Sequence, residues 1–283
     1  MPKVSVLMPI YKTKEVYLKE AIESILAQTF SDFEFLILDD CPQDNRAEIV
    51  TSYNDKRIIY LKNEKNLGIT PSRNKLIEMA KGEYLAVMDH DDVAMPERFV
   101  EQVNVLDNNP EVGVVGSLYI RIPKIKKPSK MPESNDGIEK YLMEGCGVFH
   151  PSAMVRADVL KKYAVKYESD FTPAEDYALW CRLIGKTKFH NIQKVLMKYR
   201  WHKTNTSKLQ NDKRLLAVKA IHNLLKKEQP ELWEKVHHSG SYIVRGKLFG
   251  VLPILKMKQL SDKKPKFLKY LPFIKIKIKL EVK

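Results

Sequence analysis

From residue 4 to residue 120, short apolar runs alternate with stretches of helical spacing. Residues 4–8 (VSVLM) read as a buried parallel strand ending at Pro9. Residues 15–28 place Val16, Leu18, Ala21, Ile22, Ile25 and Leu26 on one helical face. A second strand is predicted over 33–38 (FEFLIL), a short helix over 47–53 and a third strand over 57–61. The next helix spans 70–80, with Pro71 in its first turn, where a missing N–H costs little. Gly82 closes it, and 84–88 (YLAVM) forms a fourth strand. A helix opened by Pro96 runs to Asn108, and 112–120 is strand-like.

Such alternation implies βαβ units and a mostly parallel sheet covered by helices on both faces. Ligands of such sheets bind at the carboxyl ends of the strands. Pro9-Ile10-Tyr11, Asp39-Asp40 and Asp89-His90-Asp91-Asp92 each directly follow a predicted strand. Three loops therefore converge on one edge, and two of them carry paired carboxylates.

The rest of the chain reads less regularly. Residues 122–135 are rich in Pro, Lys and Ser and suggest a flexible loop or linker. Residues 138–143, 148–155 and 175–184 suggest mixed helix and strand, 195–202 a strand, and 211–227 and 230–237 helices. The chain ends in FIKIKIKLEVK, which alternates with period two.

Charge divides the chain. Residues 1–185 carry 24 Lys+Arg against 29 Asp+Glu, whereas 186–283 carry 25 against six. Acidic chemistry sits in one part and a cationic surface in the other, which suits a phosphorylated ligand, nucleic acid or anionic lipid. The isolated thiols of Cys41, Cys146 and Cys181 form neither a zinc pattern nor a disulfide framework. No apolar stretch is long enough to span a bilayer, and the amino terminus lacks the features of a signal peptide, so a cytoplasmic location is expected.

Crowded carboxylates repel one another unless something neutralises them. A divalent cation does so, and hard oxygen donors suit Mg²⁺ or Mn²⁺, whose shells are often completed by substrate phosphates. Asp89 and Asp91 point the same way if the backbone between them is extended. An isolated Asp-x-Asp is also an ordinary polar turn; its place after YLAVM, beside the other acidic loop, favours the metal.

The segments SVLMPIYK, AIESILAQTF, FEFLILDDCPQD, KNLGITPSRNKLIEMAKGEYLAVMDHDDVAMPERF and AEDYALWCRL resemble family 2 glycosyltransferases with the GT-A fold. The resemblance implies a catalytic domain over 1–210, with a Rossmann-like nucleotide-sugar half (1–120) and an acceptor half (121–210). A basic helical and amphipathic extension (211–283) would follow. It implies an inverting, metal-dependent transfer from a nucleotide-diphospho sugar, most often a UDP-sugar, to an oligosaccharide or lipid-linked glycan.

Carried over by position, Pro9 and Tyr11 resemble the uracil-side loop, Asp40 the base-binding carboxylate, and Asp39 its support. Asn66, Gly68 and Arg73 match the segment lining the nucleotide. Asp89 matches the ribose or sugar contact, followed by His90. Asp91 matches the metal ligand, with Asp89 and His202 as further candidates, and Asp92 is an additional acidic residue. Glu175-Asp176 matches the Glu-Asp pair whose Asp is the general base; Asp170 is a weaker candidate. Trp180 and His150 are acceptor candidates, and Arg200 and His202 belong to a late YRxH element. Each has a plainer reading: Arg73 as a helix-surface residue, Glu175-Asp176 as an acidic first turn, Trp180 and His150 as core, Arg200 and His202 as surface strand.

Gly185-Lys186-Thr187 imitates the end of a phosphate-binding loop, but Trp180 stands where the earlier glycine would be. No Gly-rich dinucleotide fingerprint follows the first strand. In the basic end, 248–257 and 267–278 interleave apolar residues and lysines as peripheral membrane segments do, so an anionic inner leaflet is an expected partner. Nucleic acid is not, because no recognition motif for it is visible. The competing functions are a nucleotidyltransferase, which should carry a Gly-rich basic loop after the first strand, and a non-catalytic sugar-nucleotide binder.

Overall fold

The computed structural model describes residues 1–41, 43–44, 46–123, 127–202, 205 and 209–237, with the backbone of 242–244 and 255–257. Two compact units divide the chain, Met1–Leu225 and Lys226–Lys283. The first unit opens with β1 (Val4–Ile10), α1 (Glu15–Leu26), β2 (Phe33–Asp39), α2 (Arg46–Thr51), β3 (Ile58–Lys62), α3 (Ile69–Met79) and β4 (Tyr84–Val87). It continues through β5 (Val93–Ala94), α4 (Arg98–Asn108), β6 (Val112–Ile122), α5 (Asn135–Leu142), β7 (Met154–Arg156), α6 (Ala157–Lys162), α7 (Glu175–Leu183) and β8 (Lys188–Arg200). Helix α8 (Asn211–Glu228) follows, then α9 (Pro230–His237).

The eight strands form one sheet in the order β3-β2-β1-β4-β7-β6-β8-β5. β1 pairs in parallel with β2 and β4, β2 with β3, and β6 with β8, while β7 and β5 run antiparallel to their neighbours. Every residue of β1 and β2 is buried, as the continuous apolar runs require of strands covered on both faces. Leu18, Ala21, Ile22 and Ile25 of α1 are fully buried in the same core. At Gly82 a Cβ would fall 2.5 Å from the Ser5 backbone nitrogen, so only glycine lets the chain enter β4 this close to β1.

The acidic loop lies between β4, in the middle of the sheet, and β5, at its far edge. It turns back on itself through the Asp92 N–H, which donates to the Asp89 carbonyl (3.3 Å), so it is far from extended. A compact loop spans four strand spacings of about 4.8 Å each only if the sheet curls, which brings β8 round towards β4. Both ends of the loop are thereby anchored in the sheet.

Within 122–135, β6 extends to Ile122 and the described residues 127–133 form a loop tied back to that strand, Ser129 bonding to the Tyr119 carbonyl (2.8 Å) and amide (3.0 Å). Residues 148–155 are mixed helix and strand, a 3₁₀ turn at His150–Ser152 leading into β7. The first unit continues past residue 210, because α8 buries Ala217, Ile221 and Leu225.

In the second unit, Trp233 of α9 stacks on His237 with ring centroids 3.9 Å apart, and two short strands, β9 (Tyr242–Val244) and β10 (Leu255–Met257), pair antiparallel. Most of the 248–257 and 267–278 segments lie outside the described residues. Among the described residues no helix is long and apolar enough to cross a membrane.

Candidate active site

The carboxyl ends of β1, β2 and β4 gather the first group of residues. Pro9 is buried in β1, and Tyr11 just beyond it is 41% exposed, with the Lys12 ammonium 5.2 Å from its ring centre. Asp39 Oδ1 accepts from the Cys41 amide (2.9 Å), and its Oδ2 from the Tyr60 hydroxyl (2.9 Å), fixing the turn after β2. Burial raises its pKa above the usual carboxylate value.

Asp40 shapes the neighbouring loop. Its Oδ1 accepts from Asn63 Nδ2 and the Leu67 amide, and its Oδ2 from the Gly68 amide, each at 2.8 Å. Asn66 Oδ1 also accepts from the Gly68 amide (2.9 Å). Gly68 sits at φ +87°, a left-handed conformation that lets the loop enter α3. Asp40 thus holds the Asn66–Gly68 segment against the sheet edge.

In the acidic loop, Asp89 accepts from Arg73 (3.2 Å), and Asp91 Oδ2 lies 2.7 Å from His202 Nε2. His90 keeps a buried Nδ1 without a hydrogen-bond partner. Asp92 is fully buried; its Oδ1 accepts from the Arg200 amide (2.8 Å), while its Oδ2 has no partner. Burial, followed by repulsion from Asp91 and Asp89, pushes the Asp92 pKa well up. The end of β8 straps this loop down. Arg200 donates from Nε to the Asp91 carbonyl (2.7 Å), bonds to Glu20 and lies over the Tyr17 ring (4.3 Å), on which His202 also stacks (5.8 Å).

A buried cation backs the loop. Arg98, wholly enclosed, donates to the Val87 carbonyl (2.8 Å), the Ala153 carbonyl (3.2 Å) and Gln102 Oε1 (3.0 Å). Burial lowers its pKa to about 9, opposed by the fields of Asp92 and Asp89.

Helix α3 joins the two halves of the sheet. Thr70, Arg73 and Asn74, spaced i, i+3 and i+4, share one helical face. The Thr70 hydroxyl meets that of Thr172 (2.7 Å), and Asn74 exchanges two bonds with the Tyr167 backbone (2.9 and 3.0 Å). Between them Arg73 donates to Glu175 (2.7 Å) and Asp89 (3.2 Å). Burial alone would lower its pKa, but these two carboxylates more than offset that and keep the guanidinium charged.

Asp176, next to Glu175 in the first turn of α7, keeps part of its surface exposed. Burial and then the Glu175 charge raise its pKa to about 6, opposed by Arg73 and by a bond from the Tyr177 amide. A carboxylate poised there can accept a proton near neutral pH.

Residues 5–164 match the model of "Glycosyl transferase family 2". The chain belongs to this family. Among relatives, it is 42% identical over 209 residues to the uncharacterised glycosyltransferase MJ1057 of Methanocaldococcus jannaschii, covering 70% of this chain and 71% of that one. It is 26% identical over 236 residues to the Escherichia coli UDP-Glc:α-D-GlcNAc-diphosphoundecaprenol β-1,3-glucosyltransferase WfaP, covering 80% and 91%. The fold is similar to that of S. aureus TarS (residues 1–349) in complex with UDP-GlcNAc, with TM-score 0.69 and 18% identity, over 83% of this chain and 72% of that one. The protein is a glycosyltransferase with the GT-A fold.

Within the transferase, two acceptor candidates fall outside the cleft. Trp180 is fully buried: α7 is apolar almost all round, so the residue one turn beyond Asp176 points into the core. His150 is 3% exposed, bonds to the Tyr167 hydroxyl (2.7 Å) and is held neutral by burial and by Arg73. Asp170 lies exposed on a 3₁₀ turn.

The three metal candidates are only partly gathered. Asp91 meets His202, whereas Asp89 is turned to Arg73, and among the described residues no three metal-ligating side chains cluster. Asp91 and His202 fit a Mg²⁺ or Mn²⁺ whose shell is completed by ligand phosphates. The residues missed in the sequence are Thr70, Asn74, Tyr17 and Arg98. The first two share a polar face with Arg73, a signal that was legible; nothing in the sequence marks Tyr17 or Arg98.

Proposed function

We propose that this glycosyltransferase moves a sugar, with inversion, from a nucleotide-diphospho sugar to a hydroxyl of a glycan acceptor. The observation that carries this reading is Arg73, whose bonds to Asp89 and Glu175 fix the acidic donor loop beside the Asp176 base. A UDP-sugar donor is supported by the names of WfaP and of the TarS complex. The nucleotide would lie along Tyr11, Asp40, Asn66 and Gly68, with its diphosphate towards Asp89 and Asp91.

In the transfer step, the acceptor oxygen attacks the anomeric carbon as the bond from that carbon to the diphosphate oxygen breaks. The hydroxyl proton passes to the Asp176 carboxylate, a contribution typically of 10²–10⁴-fold. Arg73 pairs with Glu175 at 2.7 Å, so Asp176 is the neighbouring carboxylate left to take that proton. Asp91 with His202 would hold Mn²⁺ or Mg²⁺, which neutralises charge on the leaving diphosphate.

A place in capsule, lipopolysaccharide or other surface-polysaccharide assembly, at the cytoplasmic face of the membrane, is supported by the lipid-diphosphate acceptor in WfaP's name. Membrane contact is favoured by α8, which exposes Leu215 and Leu216 beside Lys213 and Lys219. Pelleting with anionic but not neutral vesicles tests it.

The transferase reading is tested by incubating the protein with a UDP-sugar panel and short glycans, with Mn²⁺ or EDTA. Metal-dependent UDP release and a product anomer opposite to the donor's by NMR are expected. Pyrophosphate release would instead indicate a nucleotidyltransferase, and tight UDP binding without turnover a non-catalytic binder.

A further inference from the structure

With Trp180 and His150 buried, the acceptor needs another surface at the functional edge. One is present on β6, β8 and the loop before the His150 turn. The Tyr119 ring stacks on Phe149 with centroids 3.9 Å apart, Phe149 meets Tyr199 edge-on at 5.3 Å, and Tyr199 meets Trp201 at 6.0 Å. The Arg121 guanidinium lies 4.9 Å from the centre of the Trp201 ring. Tyr119 and Phe149 pack against the core from its rim with part of their surface exposed, Tyr199 is also partly exposed, and Trp201 is 38% exposed.

The row lies at the carboxyl ends of β6 and β8, the strand that straps down the acidic loop. Arg200, between Tyr199 and Trp201, carries the bonds to the Asp91 carbonyl and Asp92. At the other end, Phe149 directly precedes the 3₁₀ turn of His150, whose ring bonds to the Tyr167 hydroxyl (2.7 Å). A pyranose ring presents an apolar face of C–H groups carrying partial positive charge, and a rim of hydroxyls. Ring faces are negative at their centres and match the former; a guanidinium and two tyrosine hydroxyls beside them match the latter. A hydrocarbon chain would have no use for Arg121.

We infer that Tyr119, Phe149, Tyr199 and Trp201, with Arg121, form the platform on which a pyranose ring of the glycan acceptor stacks. The inference rests on the transferase reading for its role, but glycan binding to the platform can be measured without donor or turnover.

The experiment uses the full chain, a panel of methyl glycosides and short oligosaccharides, and the variants Trp201→Ala, Trp201→Tyr and, as control, Tyr141→Ala, an exposed aromatic on α5. Without donor, wild-type tryptophan fluorescence should shift saturably with at least one glycan of the panel. The shift should vanish in Trp201→Tyr, although Trp180 and Trp233 remain. With donor, Trp201→Ala should raise the acceptor KM about tenfold or more, as loss of an aromatic anchor does. Donor KM should change less than about twofold, Trp201→Tyr should recover most of the acceptor KM, and Tyr141→Ala should leave it unchanged.

An unmoved acceptor KM, a fluorescence shift that survives in Trp201→Tyr, or no shift with any glycan overturns the platform. So does a defect confined to acceptors bearing a lipid tail, which would assign the row to lipid. If the wild type neither binds UDP nor releases it from any donor, the transferase reading fails by itself, and the donor-free titration still decides the platform.

Discussion

Arg73 and Glu175, 102 residues apart in sequence, meet at 2.7 Å, with little of either side chain exposed. Because Arg73 also bonds to Asp89, one guanidinium ties the donor loop to the turn that carries Asp176.

Replacing Arg73 with Met should therefore affect both stability and rate. Removing one partner of a buried pair leaves uncompensated charge and costs about 3–5 kcal/mol, read as a lower denaturation midpoint. Misplacing the base relative to the donor loop should lower kcat on the order of 10²-fold. Arg73→Lys, which keeps the charge but not the fork, should recover much of the stability and little of the rate.

Asp176 predicts a pH dependence. As a base it must be ionised, so kcat should fall as pH drops through about 6. The same raised pKa acts on stability in the opposite sense. Folding favours the protonated acid, so the contribution is present below the unfolded carboxylate pKa and is lost as pH rises through about 6. Asp176→Asn should then be more stable than wild type at pH 8, by about 1–3 kcal/mol, and similar to it at pH 4. Melting curves at the two pH values check this.

Arg98 supplies buried donors to Val87, Ala153 and Gln102 behind the acidic loop. Arg98→Met should cost about 3 kcal/mol or more in urea unfolding, because it strands those acceptors and removes a buried cation that meets the field of Asp92. A cost below 1 kcal/mol would show that the guanidinium is not needed there.

Gly68→Ala isolates a backbone effect. No atom lies within 4 Å of the added methyl, so only the positive φ resists it. A loss of about 1 kcal/mol is expected, with weaker UDP binding by calorimetry because the Asn66–Gly68 loop shifts.

Much of this was legible in the sequence. Apolar runs ending in Asp39-Asp40 and Asp89–Asp92 located the parallel strands and their functional edge, because strands buried on both faces leave an uninterrupted signal. β5 and β7, of two and three residues, are too short to carry any period. Trp180 misled for a physical reason: its i+4 spacing from Asp176 gives the helical face, but not whether that face is covered. The bonds of Arg73 to Glu175 and Asp89 were not legible, because a long-range pairing is not encoded in local pattern.

The most direct test measures UDP affinity by calorimetry with Mn²⁺, and sugar transfer, for Asp91→Ala and Asp176→Asn in parallel. Asp91→Ala should lose at least about tenfold in metal-dependent UDP affinity, roughly 1.4 kcal/mol. Asp176→Asn should bind UDP like the wild type and transfer no sugar. Wild-type turnover in both variants would contradict the account.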